Sequence, residues 1–224
     1  MSFILAIDGT SGSGKTTTAR KVAESLGWFY LDTGATYRAV AYEVLKKGKD
    51  PENVSEVIQV LKDLELAMKN TKRGQRTYVN GEDVTNYLRT DEIDKSVTPI
   101  SKTKAVREWL VGFQREIARN RNIVVEGRDI GTVVFPYANL KIFMDADLSV
   151  RAKRRKKQKR NTKHVEQVKK DLKLRDYHDS KRKESPLRRA PDALLLDTTS
   201  LSIKEQVDWV IRRIKQLNES TIPI

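Results

Sequence analysis

The sequence predicts an α/β fold built on a doubly wound parallel sheet, and three observations predict it. Short apolar runs of strand length alternate with longer segments whose apolar residues recur at helical spacing. A glycine-rich loop follows the first apolar run without a break. The chain has 224 residues, which is enough to bury one sizeable core, so we expect a single domain over residues 1–224.

The elements follow from these patterns in chain order. Strands are expected at short apolar runs, over residues 3–7, 28–31, 123–126, 140–144 and 193–196. Helices are expected where apolar side chains recur every three or four residues, over residues 15–26, 33–47, 54–68, 106–118, 147–183 and 203–217. Gly27 and Gly48 indicate the ends of the first two helices. Trp28, Trp109 and Trp209 have apolar neighbours, and we expect them in the core.

One segment departs from the alternation of strands and helices. Asn80-Gly81 lies between strand-like residues 77–79 and 82–84, which is a strong signal for a two-residue β-hairpin. Because an antiparallel hairpin is foreign to a parallel βα repeat, we assign residues 52–100 to an insert.

The amino-acid composition excludes several kinds of functional site. The chain is 38% apolar and 33% charged, as in globular proteins. It contains no cysteine, which excludes disulfides, thiolate catalysis and cysteine metal sites, and His164 and His178 match no metal-ligand spacing. No run approaches the roughly 18 apolar residues of a membrane span, and the first residues lack the pattern of a secretion signal. We expect a cytoplasmic monomer without membrane contact.

The glycine-rich loop predicts a nucleotide site. Residues 9–16 fit the phosphate-loop pattern G-x-x-x-x-G-K-[ST] at every position, between a predicted strand and a predicted helix. Lys15 is expected to reach the β- and γ-phosphates of ATP, and Thr16 to bind Mg²⁺ directly or through water. The predicted ATP-binding residues of the loop are Gly9, Thr10, Ser11, Gly12, Ser13, Gly14, Lys15, Thr16 and Thr17.

A phosphate loop alone does not say which molecule receives the phosphoryl group. The N-K-x-D and D-x-x-G motifs of GTPases do not occur, and a motor or helicase needs more chain than this. The sequence therefore favours a small kinase.

Four further motifs follow the phosphate loop in order. They are L-D-T-G-A-T-Y-R at residues 31–38, G-R-D-I-G-T-V-V-F-P at 127–136, R-A-K-R-R at 151–155, and R-D-Y-H-D-S-K-R-K-E-S-P-L at 175–187. Together the five motifs resemble those of bacterial cytidylate kinases, from Ile4 to about Leu217. The resemblance implies transfer of the γ-phosphoryl group of ATP, with Mg²⁺, to CMP or dCMP. It also implies that residues 52–100 are a nucleoside monophosphate-binding insert.

The resemblance also implies individual roles. It places Thr33, Arg38, Arg107, Arg128 and Asp129 around the acceptor phosphate and sugar, and Arg175, Asp179 and Thr98 at the cytosine edge. Arg182 would reach toward the transferring phosphoryl group, so the implied catalytic residues are Lys15, Arg128, Asp129 and Arg182. Thr33 and Thr98 stand where serine is expected, and the hydroxyl is kept. Glu126 is left outside the predicted site.

Helical spacing supports part of this assignment independently. Residues 165, 168, 172, 175, 179 and 182 are separated by three or four positions and form one stripe on a helix. Apolar side chains anchor the stripe, while Arg175, Asp179 and Arg182 could face a ligand together. The alternative is an intrahelical ion network worth tenths of a kcal/mol per pair.

Nearly all of the +14 net charge lies in residues 151–189, which hold 18 basic and 5 acidic residues. We expect residues 151–183 to form a basic lid and the helix that follows it. Arg151, Arg154 and Arg155 are expected to contact ATP, while most of the other cations remain solvated. Nucleic-acid binding is less favoured, because residues 151–168 contain no Phe, Tyr or Trp on which bases could stack. A kinase acting on UMP or another phosphorylated acceptor also stays open.

Overall fold

The computed structural model of the protein describes residues 2–159 and 164–219. Its internal contacts fall into two compact units. The first contains the residues up to Phe29 together with those from Arg121 onward, and the second is Tyr30–Asn120. The predicted insert, residues 52–100, lies wholly inside the second unit.

The strands form two sheets. They are β1 (Ile4–Gly9), β2 (Phe29–Asp32), β3 (Leu66–Thr71), β4 (Gly74–Val79), β5 (Glu82–Asp83), β6 (Ile123–Glu126), β7 (Leu140–Asp145) and β8 (Leu194–Asp197). One sheet has the strand order β2-β6-β1-β7-β8, and the ladders of β1 with β6, β1 with β7 and β7 with β8 are all parallel. The predicted α/β class with a parallel core sheet is therefore confirmed.

Eight helices accompany these strands in the described residues. They are α1 (Lys15–Leu26), α2 (Thr33–Lys46), α3 (Val54–Lys62), α4 (Asp91–Lys102), α5 (Lys104–Ala118), α6 (Leu148–Lys159), α7 (Val165–Lys181) and α8 (Ile203–Glu219), with a π-helical turn at Ile130–Val134. Side-chain caps begin several of them: Asp32 accepts from Ala35 N at α2, and Asn53 accepts from Ser55 N and Glu56 N at α3. None of the helices described is long and apolar enough to cross a membrane.

The core of the first unit lies on the parallel sheet. Leu5 and Ile7 of β1 and Val124 and Val125 of β6 are fully buried. Adjacent positions on a strand point to opposite faces, so burial of both Val124 and Val125 means that β6 is covered on its two sides. This explains why β6 begins as a short unbroken apolar run in the sequence.

The second unit contains the antiparallel sheet β3-β4-β5. Asn80 and Gly81 turn the chain between β4 and β5 with positive φ angles of 49° and 82°, which confirms the predicted hairpin. The expected helix over residues 54–68 was wrong in its second half. It ends at Lys62, and Met68 lies on β3, which pairs with β4 along its whole length. Pairing across a second hairpin outweighs the helical spacing there.

Three other expectations need correction. The helix α4 was not predicted: Pro99 inside it argues against a helix, and its start signals, the N-cap Thr90 and the acidic residues of its first turn, were not used. The expected helix over residues 147–183 is two helices, α6 and α7, and the part of it at residues 160–163 lies outside the described residues. The three tryptophans are half-buried at the edges of the core rather than inside it, where Trp28 packs on Phe3 and Trp109 on Phe113.

Candidate active site

The phosphate loop connects β1 to α1 and depends on glycine. Gly9, Gly12 and Gly14 have φ angles of 145°, 82° and 100°, a region that side chains with a Cβ rarely adopt. A Cβ at Gly9 would also stand 1.9 Å from the carbonyl oxygen of Met144. Lys15, Thr16 and Thr17 follow as the first three residues of α1, so the exposed N–H groups of the helix start meet the loop.

Lys15 is buried at the centre of the loop. Its side chain is 5% exposed, and its ammonium donates to the Thr10 carbonyl at 2.6 Å and lies 3.5 Å from Ser13 Oγ. Burial, and then the positive charge of Arg128, lowers the pKa of Lys15, while Glu126 and Asp8 act against the shift. A phosphate oxygen would be a stronger partner than the Thr10 carbonyl, because it is charged.

Glu126, which the sequence left outside the site, contacts the predicted metal ligand. Thr16 Oγ1 donates to Glu126 Oε1 at 2.6 Å, and Glu126 is 3% exposed at the end of β6. A hydroxyl and a carboxylate are the oxygen donors that Mg²⁺ prefers, usually one or two from the protein with phosphate oxygens completing the set. The residues present therefore fit a magnesium ion brought in with ATP.

Asp8 joins the phosphate loop to the turn that carries Arg128 and Asp129. Its two oxygens accept hydrogen bonds from Ile130 N and Gly131 N, each at 2.8 Å. Burial raises the pKa of Asp8 to about 6 even though both backbone bonds favour the charged form. The carboxylate fixes the start of the π-helical turn directly after Asp129, which is itself buried.

The turn and α7 meet through a charged pair. Arg128 Nε donates to Asp179 Oδ2 at 2.8 Å, although these residues belong to two separate sequence motifs. Burial opposes the ionisation of Asp179, but the charges of Arg128 and Arg182 outweigh it and lower the pKa of Asp179.

The predicted helical stripe lies on α7 from Val165 to Asp179, without its last member. Val168 and Leu172 are buried with Ala152 of α6, and Val165 packs against them. Arg182 is the C-terminal cap residue of α7, so it follows the last helical residue rather than lying on the helix.

The three arginines predicted to contact ATP have different positions in the structure. Arg151 is buried against the phosphate loop, where its guanidinium donates to the Ser11 carbonyl at 3.1 Å and to the Ala146 carbonyl at 2.9 Å. Arg154 donates twice to Thr198, through the hydroxyl at 3.0 Å and the carbonyl at 2.6 Å. Arg155 bonds Gln158 on the surface of α6. Arg151 therefore contacts the loop directly.

Three polar residues that support the loop were not predicted. Asp145 accepts from the Thr10 hydroxyl at 2.6 Å, Thr198 donates to the Ser13 carbonyl at 2.8 Å, and Asp176 accepts from Ser11 N at 3.0 Å. The motif containing Asp176 was visible in the sequence, but nothing in it pointed to the loop. Asp145 and Thr198 carried no signal beyond their place at strand ends.

The second unit holds the other residues expected at the acceptor. Thr33 is buried as the first residue of α2, and Thr98 is exposed on α4. Arg38 pairs with Asp94 of α4 through Nε at 3.4 Å. Arg107 of α5 is buried, donates to the Ser101 carbonyl at 3.3 Å, and lies 5.6 Å over the Tyr37 ring. Within this unit Arg107 therefore lies against α2, at the residue before Arg38.

A parallel sheet whose first strand ends in a complete phosphate loop, with a buried lysine and a hydroxyl–carboxylate pair beside it, defines a phosphotransferase of the P-loop kinase class. Comparison with known proteins gives the family. The sequence pattern of the family described as "Cytidylate kinase" matches residues 5–216. The chain belongs to the cytidylate kinase family.

Curated relatives agree along nearly the whole chain. A cytidylate kinase of Thermotoga maritima is 46% identical over 220 residues, which cover 96% of this chain and 98% of the relative. A cytidylate kinase of Bacillus subtilis is 42% identical over 217 residues, covering 95% of this chain and 96% of the relative. One from a Geobacillus species is 41% identical over 215 residues, covering 95% and 96%.

Solved structures with distant sequences share the fold. A crystal structure of an uncharacterized protein from Eubacterium ventriosum aligns with a TM-score of 0.58 at 15% identity and covers 96% of this chain and 99% of that one. At this level of identity the likeness concerns the fold alone.

Proposed function

We propose that the chain transfers the γ-phosphoryl group of ATP to CMP or dCMP and produces ADP with CDP or dCDP. Membership of the cytidylate kinase family and the names of its curated relatives support the acceptor. The observation that carries the proposal is the Arg128–Asp179 pair at 2.8 Å. It joins two of the motifs implied to bind the acceptor, in the same unit as a complete phosphate loop.

ATP binds with its phosphates in the loop of residues 9–17. The backbone N–H groups and the start of α1 receive the phosphate oxygens, and Lys15 exchanges the Thr10 carbonyl for the β- and γ-phosphates. Thr16 and Glu126 would hold Mg²⁺, which would neutralise phosphate charge when bound. Arg151 lies on the loop at Ser11, where it also pairs with Asp176.

The acceptor nucleotide is assigned to arginines and hydroxyls. Arg38 and Arg107, with Thr33, bind its phosphate and sugar, because guanidinium groups match phosphate oxygens in charge and geometry. Arg175, Asp179 and Thr98 read the cytosine edge, where a carboxylate accepts from the exocyclic amine. Arg38 would exchange Asp94, and Arg128 would exchange Asp179, for the acceptor phosphate. Each guanidinium then keeps an anionic partner.

The chemical step needs no strong base. The acceptor is a phosphate monoester with a second pKa of about 6, so its oxygen is already an anion near neutral pH. That oxygen attacks the γ-phosphorus in line and ADP leaves. Arg128 and Arg182 neutralise the charge that develops, and Asp129 orients an arginine or a sugar hydroxyl rather than removing a proton.

A panel of acceptors tests the proposal. ADP formation from ATP and Mg²⁺ would be followed with CMP, dCMP, UMP, AMP and GMP presented one at a time. We expect turnover with CMP and dCMP only. Turnover confined to UMP or AMP would retain the kinase class and overturn the assignment of Arg175, Asp179 and Thr98. Monomeric state and a cytoplasmic location remain predictions of the sequence.

A further inference from the structure

A carboxylate from α7 holds the phosphate loop. Asp176 Oδ1 accepts the hydrogen bond of Ser11 N at 3.0 Å, and Asp176 Oδ2 pairs with the Arg151 guanidinium. The same guanidinium donates to the carbonyl oxygen of Ser11 at 3.1 Å. Both backbone groups of one loop residue are therefore fixed by side chains of two helices.

The support behind this contact is rigid. Arg151 is buried, and its Nε donates to the Ala146 carbonyl at 2.9 Å, so the guanidinium has a fixed direction. The helices α6 and α7 pack together through Ala152, Val168 and Leu172. Any shift of α7 along the loop must therefore change the hydrogen bonds of Ser11.

The same helix reaches the proposed acceptor site. Asp179 follows Asp176 by three residues, which places both carboxylates on one side of α7. Asp176 contacts the phosphate loop, whereas Asp179 contacts Arg128. One packed helix thus contacts the donor loop and the arginine implied to bind the acceptor.

The charge of Asp176 argues against a direct role in binding ATP. A carboxylate beside a phosphate-binding loop repels phosphate, and here Arg151 neutralises it. A loop selected only for affinity would gain from a neutral residue at this position. The placement of Asp176 instead suits a group that fixes geometry.

We propose that Asp176 is a positioning residue that couples ATP binding at the phosphate loop to acceptor binding at Arg128 and Asp179. The inference rests on the proposed function. An acceptor that engages Asp179 immobilises α7, and Asp176 passes this restraint to Ser11, so ATP meets a loop that is already ordered. Because binding coupling is reciprocal, ATP strengthens acceptor binding by the same factor.

The coupling is measured by binding with reaction prevented. The dissociation constant of the β,γ-imido analogue of ATP with Mg²⁺ is determined without CMP and with saturating CMP, for the wild type, Asp176→Ala and Asp176→Asn. Asp171→Ala is the matched control, since it removes the same charge from an exposed position of the same helix. Thermal melting verifies that each variant folds.

We expect CMP to lower the dissociation constant of the ATP analogue about five-fold or more in the wild type and in Asp171→Ala. The factor should fall below about two-fold in Asp176→Ala. In Asp176→Asn the amide would face the Arg151 donors, so this variant should lose at least about half of the coupling factor. It replaces Asp176→Ala in the test if the alanine variant does not fold. Undiminished coupling in the Asp176 variants, or no coupling in the wild type, would overturn the inference alone. A wild-type chain that does not bind CMP would overturn the proposed function as well.

Discussion

At the scale of single residues, Lys15 concentrates the charge of the donor site. Lys15 is buried, and its ammonium donates to the neutral Thr10 carbonyl. The hydrogen bond becomes stronger when a charged phosphate oxygen replaces that carbonyl. Lys15→Ala should lower kcat by at least about 100-fold, the loss typical of removing a group that stabilises transition-state charge. Steady-state kinetics with ATP and CMP measure it.

The control for this variant lies on the same helix. Lys21 of α1 is exposed, and Lys21→Ala removes the same charge from the protein. Its kcat should stay within about two-fold of the wild type, since surface substitutions rarely perturb a distant site. Wild-type turnover in Lys15→Ala would refute the assignment of the loop.

Glu126 carries the second prediction at this scale. Glu126 Oε1 accepts a hydrogen bond from the Thr16 hydroxyl at 2.6 Å. Glu126→Gln keeps the shape of the side chain but removes its negative charge. The concentration of Mg²⁺ required for half-maximal activity should rise by about ten-fold, which is the usual loss of metal affinity when a carboxylate that supports a metal ligand is removed. A titration of activity against Mg²⁺ measures the change, and an unaltered requirement would remove Glu126 from the metal site.

Contacts of this kind are the part that the sequence could not supply. Thr16 and Glu126 are 110 positions apart, and Ser11 and Asp176 are 165 apart. Local motifs identified the glycines, Lys15 and the arginine clusters because their spacing alone has chemical meaning. Which carboxylate faces which arginine depends on the packing of distant elements, so Asp176 was missed and Glu126 was left aside.

At the scale of elements, the hairpin between β4 and β5 provides a clean test of backbone conformation. Gly81 has φ of 82°, and a Cβ there would meet nothing within 4 Å, so Gly81→Ala adds backbone strain without a clash. It should lower the free energy of unfolding by about 1–2 kcal/mol. Urea denaturation measures the loss.

A second glycine supplies the opposite expectation. Gly112 lies inside α5 with ordinary helical backbone, and a Cβ there also meets nothing within 4 Å. Gly112→Ala should raise the free energy of unfolding by about 0.5–1 kcal/mol, because alanine favours the helix. Equal effects of the two substitutions would contradict the turn geometry at Asn80-Gly81.

Sequence patterns predicted elements well where burial is regular. The central strands β1 and β6 are covered on both faces, so each is a continuous apolar run with clear ends. The patterns failed where strand pairing or contacts with distant residues determine the backbone conformation. Residues 66–68 end the predicted helix of residues 54–68 but pair with β4, and the π-helical turn at Ile130–Val134 is shaped by the hydrogen bonds that Asp8 accepts from Ile130 N and Gly131 N.

At the scale of the whole molecule, one buried carboxylate should shape the dependence of stability on pH. Burial raises the pKa of Asp8 from 3.8 to about 6 in the folded chain. The folded state therefore binds this proton more tightly than the unfolded state, so the contribution to stability is full below pH 3.8 and is lost as the pH rises through 6. A shift of this size corresponds to about 3 kcal/mol.

A comparison with Asp8→Asn isolates that contribution. Between pH 4 and pH 7 the free energy of unfolding of the wild type should fall by about 2 kcal/mol relative to the variant, because at pH 4 the unfolded chain is already partly ionised; any constant offset from the lost hydrogen bond does not change this difference. Denaturant unfolding at several pH values measures both chains. Parallel curves across this range would show that Asp8 does not titrate as the structure indicates.

The fate of the γ-phosphorus of ATP tests the central claim most directly. Phosphorus NMR of the purified chain with ATP, Mg²⁺ and CMP follows every phosphate at once. We expect the γ-resonance of ATP to disappear as the resonances of ADP and CDP appear together, with no inorganic phosphate formed. Release of inorganic phosphate without CDP, or an unchanged spectrum under folded conditions, would contradict it.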